Sequence, residues 1–326
     1  MDSNMTVETN LSSKPKKVLK RETKRKIFFA FVVAYPLLHF AFFYVYVHYE
    51  MFAMAFQTYQ DVPGKGIVGT FAGFANFEKV INVFINPAAT LGSRLKQNEI
   101  TAISKMFGDT FSFFGMTMVF LPCGILFAYY VYKNYPLSGL FRVILYLPNI
   151  LSGVVMTTMF KDVFNYIIGD NYLQIPHLIA YNFIMGFGLN VVMYTSAMCG
   201  IDTSIPESCQ LDGASAIKEF WFVTVPMIFP TIITFLVMSL SGIFGQQAHL
   251  YTFFGETAAR EGVTTIGYFM YINQIGSGLI IGKKTAAHVS MTYSELAAMG
   301  LMFTAIVVPL TLTTRRLLEK YGPSDR

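Results

Sequence analysis

Along the 326-residue chain, long apolar runs alternate with short polar connections, and six of the runs approach the roughly 20 residues a helix needs to cross a bilayer core. They fall at 27–48, 110–132, 142–160, 177–199, 227–248 and 293–314. The pattern predicts an all-α polytopic membrane protein with six transmembrane helices. The first run, Ile27 to about Val47, is too long for the core of a secretory signal and has no small-residue cleavage site behind it, so it is expected to remain as a helix. A mixed-charge stretch from Glu50 to Asp109 carries turn signals such as Asp61-Val62-Pro63-Gly64 and predicts a small extramembrane cap. Another, 255–292, alternates apolar pieces with Gly276-Ser277-Gly278 and Gly282-Lys283-Lys284 and predicts a short helix near the interface. The sequence shows no tandem repeat of the length that marks a solenoid.

Composition agrees with a bilayer environment: 54% of residues are hydrophobic and 13% charged, where a soluble domain carries about 25% charged. Orientation comes from the basic residues. Lys14, Lys16, Lys17, Lys20, Arg21, Lys24, Arg25 and Lys26 precede the first span, Lys133 and Arg142 lie between the second and third, and Arg315, Arg316 and Lys320 follow the sixth. With six crossings all three groups share one side, which the positive-inside rule makes cytoplasmic. The expected organisation is a basic cytoplasmic tail over 1–26, a membrane domain over 27–314 and a cytoplasmic tail over 315–326. A basic run beside an apolar helix marks a cytoplasmic flank more often than a nucleic-acid partner.

Little points to catalysis. Cys123, Cys199 and Cys209 lie in or beside apolar runs, and His39, His48, His177, His249 and His288 are scattered, so neither set has metal-ligand spacing and no metal is expected. The sequence has no G-x-x-x-x-G-K-[ST] phosphate loop and no H-E-x-x-H zinc motif, and Gly276–Thr285 lacks the spacing of a phosphate cradle.

Polar groups inside apolar runs carry more information, because an unpaired amide in hydrocarbon is costly and faces a bundle interior or a cavity. Asn182, Gly186, Asn190 and Tyr194 recur every four residues and share one slowly drifting stripe of the fourth span. That stripe either lines a pathway or supplies hydrogen bonds between helices. Glu295, near the start of the sixth span, either snorkels to the surface or pairs within the protein.

The polar connection 201–226 between the fourth and fifth spans reads Ser204-Ile205-Pro206-Glu207, the form of a capping box that starts a short helix. Gly213 permits a sharp turn at positive φ. Asp212 or Ser215 is then positioned to cap a second helix that ends or kinks near Pro226.

The spacing Glu207, Gly213, Val223, Val225, Pro226 resembles the E-A-A-x-x-x-G-x9-I-x-L-P signature of permease subunits of bacterial ATP-binding-cassette importers. Asp212-Gly213-Ala214-Ser215 is similar to the sugar-transporting branch, of the maltose-type first permease. Ser208 and Cys209 stand where the signature has alanines, and Ile201-Asp202 stands where an Ile-Pro pair is usual. Gly186–Met198, Leu145–Ser152, Tyr293–Gly300 and the outer stretch Gly69–Val80, with its Asn76-Phe77 pair, extend the likeness over nearly all of the chain after residue 25.

This resemblance implies that 201–226 is a cytoplasmic coupling loop, with Glu207, Asp212, Gly213, Ala214 and Pro226 engaging an ATPase. Glu207 then serves the local cap, a basic residue of the partner, or both. It also makes Gln246, Gln247, His249 and Tyr251 candidates for a solute site beside Asn182, Asn190 and Tyr194, since amides exchange hydrogen bonds with sugar hydroxyls and tyrosine offers an apolar face to a pyranose. The implied partners are a second homologous permease, two nucleotide-binding subunits that hold ATP and Mg, and an extracytoplasmic solute-binding protein, in a bacterial inner membrane. This chain itself is expected to hold no cofactor. The expected cargo is a carbohydrate, with another polar solute such as a glycerol phosphate as the alternative. A stand-alone secondary transporter would instead show a mid-membrane ion-coupling carboxylate.

Overall fold

The computed structural model describes residues 21–63, 65–87, 97–169, 175–276 and 291–323. The basic run before Arg21, His288 and Ser277–Thr285 lie outside the described residues. The chain divides into two units, Met1–Met51 and Phe52–Arg326. The first holds α1 (Arg21–His39), a π-helical stretch Phe40–Tyr46 and the start of α2 (Val47–Ala55), which together form one apolar helix of 34 residues over Glu22–Ala55.

The second unit begins with the predicted cap, which is not wholly helical: β1 (Gln57–Val62) and β2 (Gly66–Phe71) pair as an antiparallel hairpin before α3 (Ala75–Ile85). Asn76 fastens the cap. Fully buried, it donates its amide hydrogens to the carbonyls of Ala55 and Gln57, both at 2.9 Å, and so ties α3 to the chain entering the hairpin.

Two long helices match their apolar runs and exceed them: α4 (Gln97–Tyr132, 36 residues) and α7 (Ile175–Cys199). The third run is corrected. Instead of one helix over 142–160, α5 (Ser138–Ile150) and α6 (Gly153–Ile168) meet at 105°. Pro148 deprives the last turn of α5 of an N–H, and Leu151 and Ser152 are extended, with ψ of 150° and 134°. Packing reinforces the break, because Gly188 of α7 lies so close to α5 that a Cβ there would fall on the Leu145 carbonyl.

The connection after α7 contains α8 (Ser204–Leu211), α9 (Ala216–Glu219), a π-helical stretch Phe220–Thr224 and α10 (Val225–Met227). The fifth run is also corrected: α11 (Phe229–Ser241) turns 66° from the preceding helix at Ile228 and stops seven residues short of 248. Ala248 and His249 then adopt left-handed φ of 49° and 57° before α12 (Leu250–Phe254). α13 (Ile266–Gly276) is the short helix of the 255–292 stretch, and α14 (Tyr293–Tyr321) is the last apolar helix, extended to include Arg315 and Arg316.

Among the described residues four helices are long and apolar enough to cross a membrane, or up to six if each bent pair counts as one span. At the start of α14 a complete capping box forms between Thr292 and Glu295, and Glu295 also pairs with Lys79 of α3 at 3.2 Å. Glu295 therefore pairs within the protein.

Candidate functional site

α4, α5, α7, α11 and the turn after α11 line an open cavity of about 610 Å³. The four-residue spacing on α7 delivers Asn182, Gly186, Asn190 and Tyr194 to it, and the left-handed turn delivers Gln246, Ala248 and His249. Gln247 and Tyr251 are not brought there; Tyr251 packs its ring against Tyr271 at 5.1 Å. The reversal of direction at Ala248 and His249 separates residues that the sequence groups together.

Asn182 does specific work at this turn. Its amide donates to Leu178 in its own helix at 2.8 Å and to the Ala248 carbonyl at 3.0 Å. A left-handed L-residue costs about 1–2 kcal/mol, and a satisfied carbonyl at the strained position offsets part of that. Tyr194, 2% exposed, packs its ring 5.2 Å from Phe235 of α11, and His249 meets the Tyr181 ring edge-on at 5.4 Å.

A second support holds Gln246 from outside the cavity. The buried Asp109 of α4 accepts the Thr264 amide at 3.1 Å, and Thr110 accepts the Ile266 amide at 3.0 Å. The segment so held returns a bond, from the Thr265 hydroxyl to the Gln246 carbonyl at 3.1 Å. Asp109 ends the mixed-charge stretch that begins at Glu50, and its partner lies 155 residues away.

The cavity also takes residues the sequence reading passed over: Asn149 near the end of α5, Thr117 on α4 and Ser239 on α11, with Phe120, Phe183 and Phe187 among its walls. Asn149 carried the same signal as Asn182, an amide within an apolar run. Among the described residues, none that lines the cavity is Asp, Glu, Lys or Arg. Among the described residues no group of three His, Cys, Asp or Glu side chains forms a metal-holding cluster.

The polar connection is built differently from the capping box expected at Ser204 and Glu207. Thr203 already has helical φ and ψ of −59° and −27°, so Ser204 sits inside the helix and its hydroxyl cannot reach a cap position. Asp202 serves the start instead, accepting the Ser204 amide at 3.0 Å and its hydroxyl at 2.9 Å. Those two hydrogen bonds hold the Asp202 carboxyl below its usual range.

At the other end Gly213, with φ of 76°, closes a Schellman turn: its amide bonds to Gln210 and that of Ala214 to Cys209, both at 3.0 Å. Ser215, not Asp212, caps α9 by accepting the Lys218 amide at 3.5 Å. Glu207, Asp212 and Gly213 are exposed, while Ala214 and Pro226 are half-buried. Two large apolar side chains flank the turn in the open, Leu211 at 89% exposure and Ile217 at 73%.

Long apolar helices, two bent pairs and a cavity lined by amides and aromatic rings are the features of a polytopic membrane protein. Residues 120–324 match the family of binding-protein-dependent transport system inner membrane components, and the chain belongs to that family. Among curated proteins it is similar to the multiple sugar-binding transport system permease protein MsmF of Streptococcus mutans, 22% identical over 70% of this chain and 78% of the relative. It is likewise similar to the polygalacturonan/rhamnogalacturonan transport system permease protein YteP of Bacillus subtilis, 22% identical over 82% of this chain and 81% of the relative. Its fold resembles that of a chain in the crystal structure of a bacterial ABC transporter involved in import of the acidic polysaccharide alginate, with a TM-score of 0.65 at 19% identity, over 93% of this chain and 98% of that one.

Proposed function

We propose that this chain is a translocation-pathway subunit of an ATP-driven carbohydrate importer, most suited to a neutral oligosaccharide. The observation that carries the proposal is the uncharged cavity. Asn149, Asn190, Gln246 and Thr117 offer donors and acceptors for hydroxyl groups, and Tyr194 and the phenylalanines offer apolar faces. Its volume lies within the roughly 300–1,000 Å³ of small-molecule sites. Among the described residues the lining holds no cationic side chain, which disfavours a glycerol phosphate, and no carboxylate, which disfavours a stand-alone ion-coupled transporter. The printed names of the sugar permease relatives support a carbohydrate cargo, of either charge class.

In this proposal each bent pair is one crossing, which gives six spans, with both termini and α8 in the cytoplasm. α8 is the coupling helix: a short element capped by Asp202 and closed by Gly213, rigid enough to be pushed without melting. Leu211 and Ile217 supply apolar contacts to a nucleotide-binding subunit, and Glu207 and Asp212 supply its charged rim. ATP binding on paired nucleotide-binding subunits draws α8 with them, and its differential affinity for the closed arrangement shifts the helices. A second permease and a solute-binding protein complete the assembly.

The test is purification of the tagged chain from its native membrane, followed by identification of its companions and of ATPase activity. An ATPase subunit, a second permease and hydrolysis stimulated by a sugar-loaded binding protein are the expected result. A stable complex without any ATPase subunit would overturn the proposal.

A further inference from the structure

Glu219 is 2% exposed, the last residue of α9, and its carboxylate forms an ion pair with Lys133, just beyond the C-terminus of α4. The Lys133 ammonium lies 5.7 Å from the ring centroids of both Tyr129 and Tyr132, and its own amide continues the helix by bonding to the Tyr129 carbonyl. A cation is favoured at this negative end of the helix. Two further contacts join the same elements: the Tyr129 hydroxyl donates to the Ala216 carbonyl at 3.2 Å, and the Tyr129 and Phe220 rings lie 5.0 Å apart. α9 is thus fastened to the last turn of α4 at its first residue, its last residue and the residue after it.

Two routes lead from the exposed helix α8 toward the cavity. Along the backbone, α9 continues through a π-helical stretch and a 66° bend before reaching the cavity wall at Phe235. Through the ion pair, α9 is joined directly to α4, a single helix with Pro122 inside it, which also carries the cavity residues Thr117, Phe120 and Gly124. A buried ion pair adds little stability over an apolar contact of equal volume. What it adds is one permitted arrangement, because a displaced partner leaves a charge buried alone.

From this geometry we infer that the Lys133–Glu219 pair is the link by which movement of α8 reaches the cavity wall, with both residues acting as positioning residues. The inference rests on the proposed function and names the part that transmits its motion. The π-helical stretch and the 66° bend of the backbone route absorb displacement, whereas the ion pair and the Tyr129 contacts carry it to α4.

The test uses the copurified complex in lipid nanodiscs, with Cys123, Cys199 and Cys209 replaced by serine and Thr117→Cys as a reporter. ATP with orthovanadate should change the rate at which a maleimide labels that cysteine. Glu219→Gln and Lys133→Met should each keep ATP hydrolysis while reducing the labelling change by about two- to thirty-fold. The exchange Lys133→Glu with Glu219→Lys should restore it. A merely structural pair would lower assembly and hydrolysis together, without separating them from labelling.

Retention of the full labelling change in Glu219→Gln would overturn the link, as would an assembled charge-exchanged complex that does not recover. If the single variants fail to assemble, Lys133→Met with Glu219→Met fills the same space without charge; a full labelling change in that complex would also overturn it, and a reduced one would support it. A parent complex with no ATPase activity overturns the transport reading itself, before any variant at Lys133 or Glu219 is made.

Discussion

The side chain of Asn182 holds the carbonyl of Ala248 at 3.0 Å, at a position where Ala248 and the following His249 are both left-handed. One amide in the middle of α7 thereby fixes the turn that presents Gln246 and His249 to the cavity. Asn182→Ala leaves that carbonyl unpaired, at a cost of about 1–3 kcal/mol. The expected outcome is a lower midpoint in thermal unfolding of the purified complex and weaker solute-dependent uptake. Ala248→Gly should act oppositely on stability, removing about 1 kcal/mol of left-handed strain. An unchanged midpoint in Asn182→Ala would refute the clamp.

Gly186 and Gly188 are two residues apart and should respond differently to alanine. A Cβ at Gly188 falls on the Leu145 backbone, whereas one at Gly186 meets nothing within 4 Å. Gly188→Ala is expected to push α5 from α7 and destabilise by about 1–3 kcal/mol, while Gly186→Ala leaves the unfolding midpoint in place. Differential scanning fluorimetry of the two variants distinguishes them.

Asp202 makes the start of α8 sensitive to acid. Its carboxyl titrates below its usual value because the ionised form accepts two bonds from Ser204. The stabilisation is therefore complete above the unfolded carboxyl value, near pH 4, and is lost as pH falls through the lower folded value. Hydrogen-exchange protection across residues 203–211 should be level from about pH 5 to pH 8 and fall below about pH 4. Asp202→Asn, which keeps an acceptor but no titrating group, should abolish the fall while retaining part of the protection.

Leu211 and Ile217 stand exposed on either side of the Gly213 turn. Leu211→Glu and Ile217→Glu should leave the chain folded in the membrane, since neither side chain is buried, and should reduce copurification of the ATPase subunit by tenfold or more, about 1.4 kcal/mol per decade. Normal recovery of the subunit with both variants would assign that surface another role.

The sequence was most informative where structure depends on near neighbours. Apolar length marked the six runs, a four-residue interval marked the Asn182–Tyr194 stripe, and one glycine between polar residues marked the turn at Gly213. It misled where two local solutions compete: Ser204 and Glu207 have the spacing of a capping box, but Asp202 two residues earlier captures the Ser204 amide first. The same box does form at Thr292 and Glu295, where the helix begins at the residue after the threonine.

Apolar patterning by itself determined that this chain lives in a bilayer as a set of helices, because helical periodicity and hydrophobic length are properties of contiguous residues. Tertiary structure decided the rest. The left-handed turn that admits Gln246 and excludes Gln247, and the burial of Asp109 and Glu219 against Thr264 and Lys133, each depend on a partner far along the chain. A sequence reports what each residue prefers alone; which carbonyl, amide or charge it finally meets is set when separate helices pack, and that meeting decides which polar groups face the cavity.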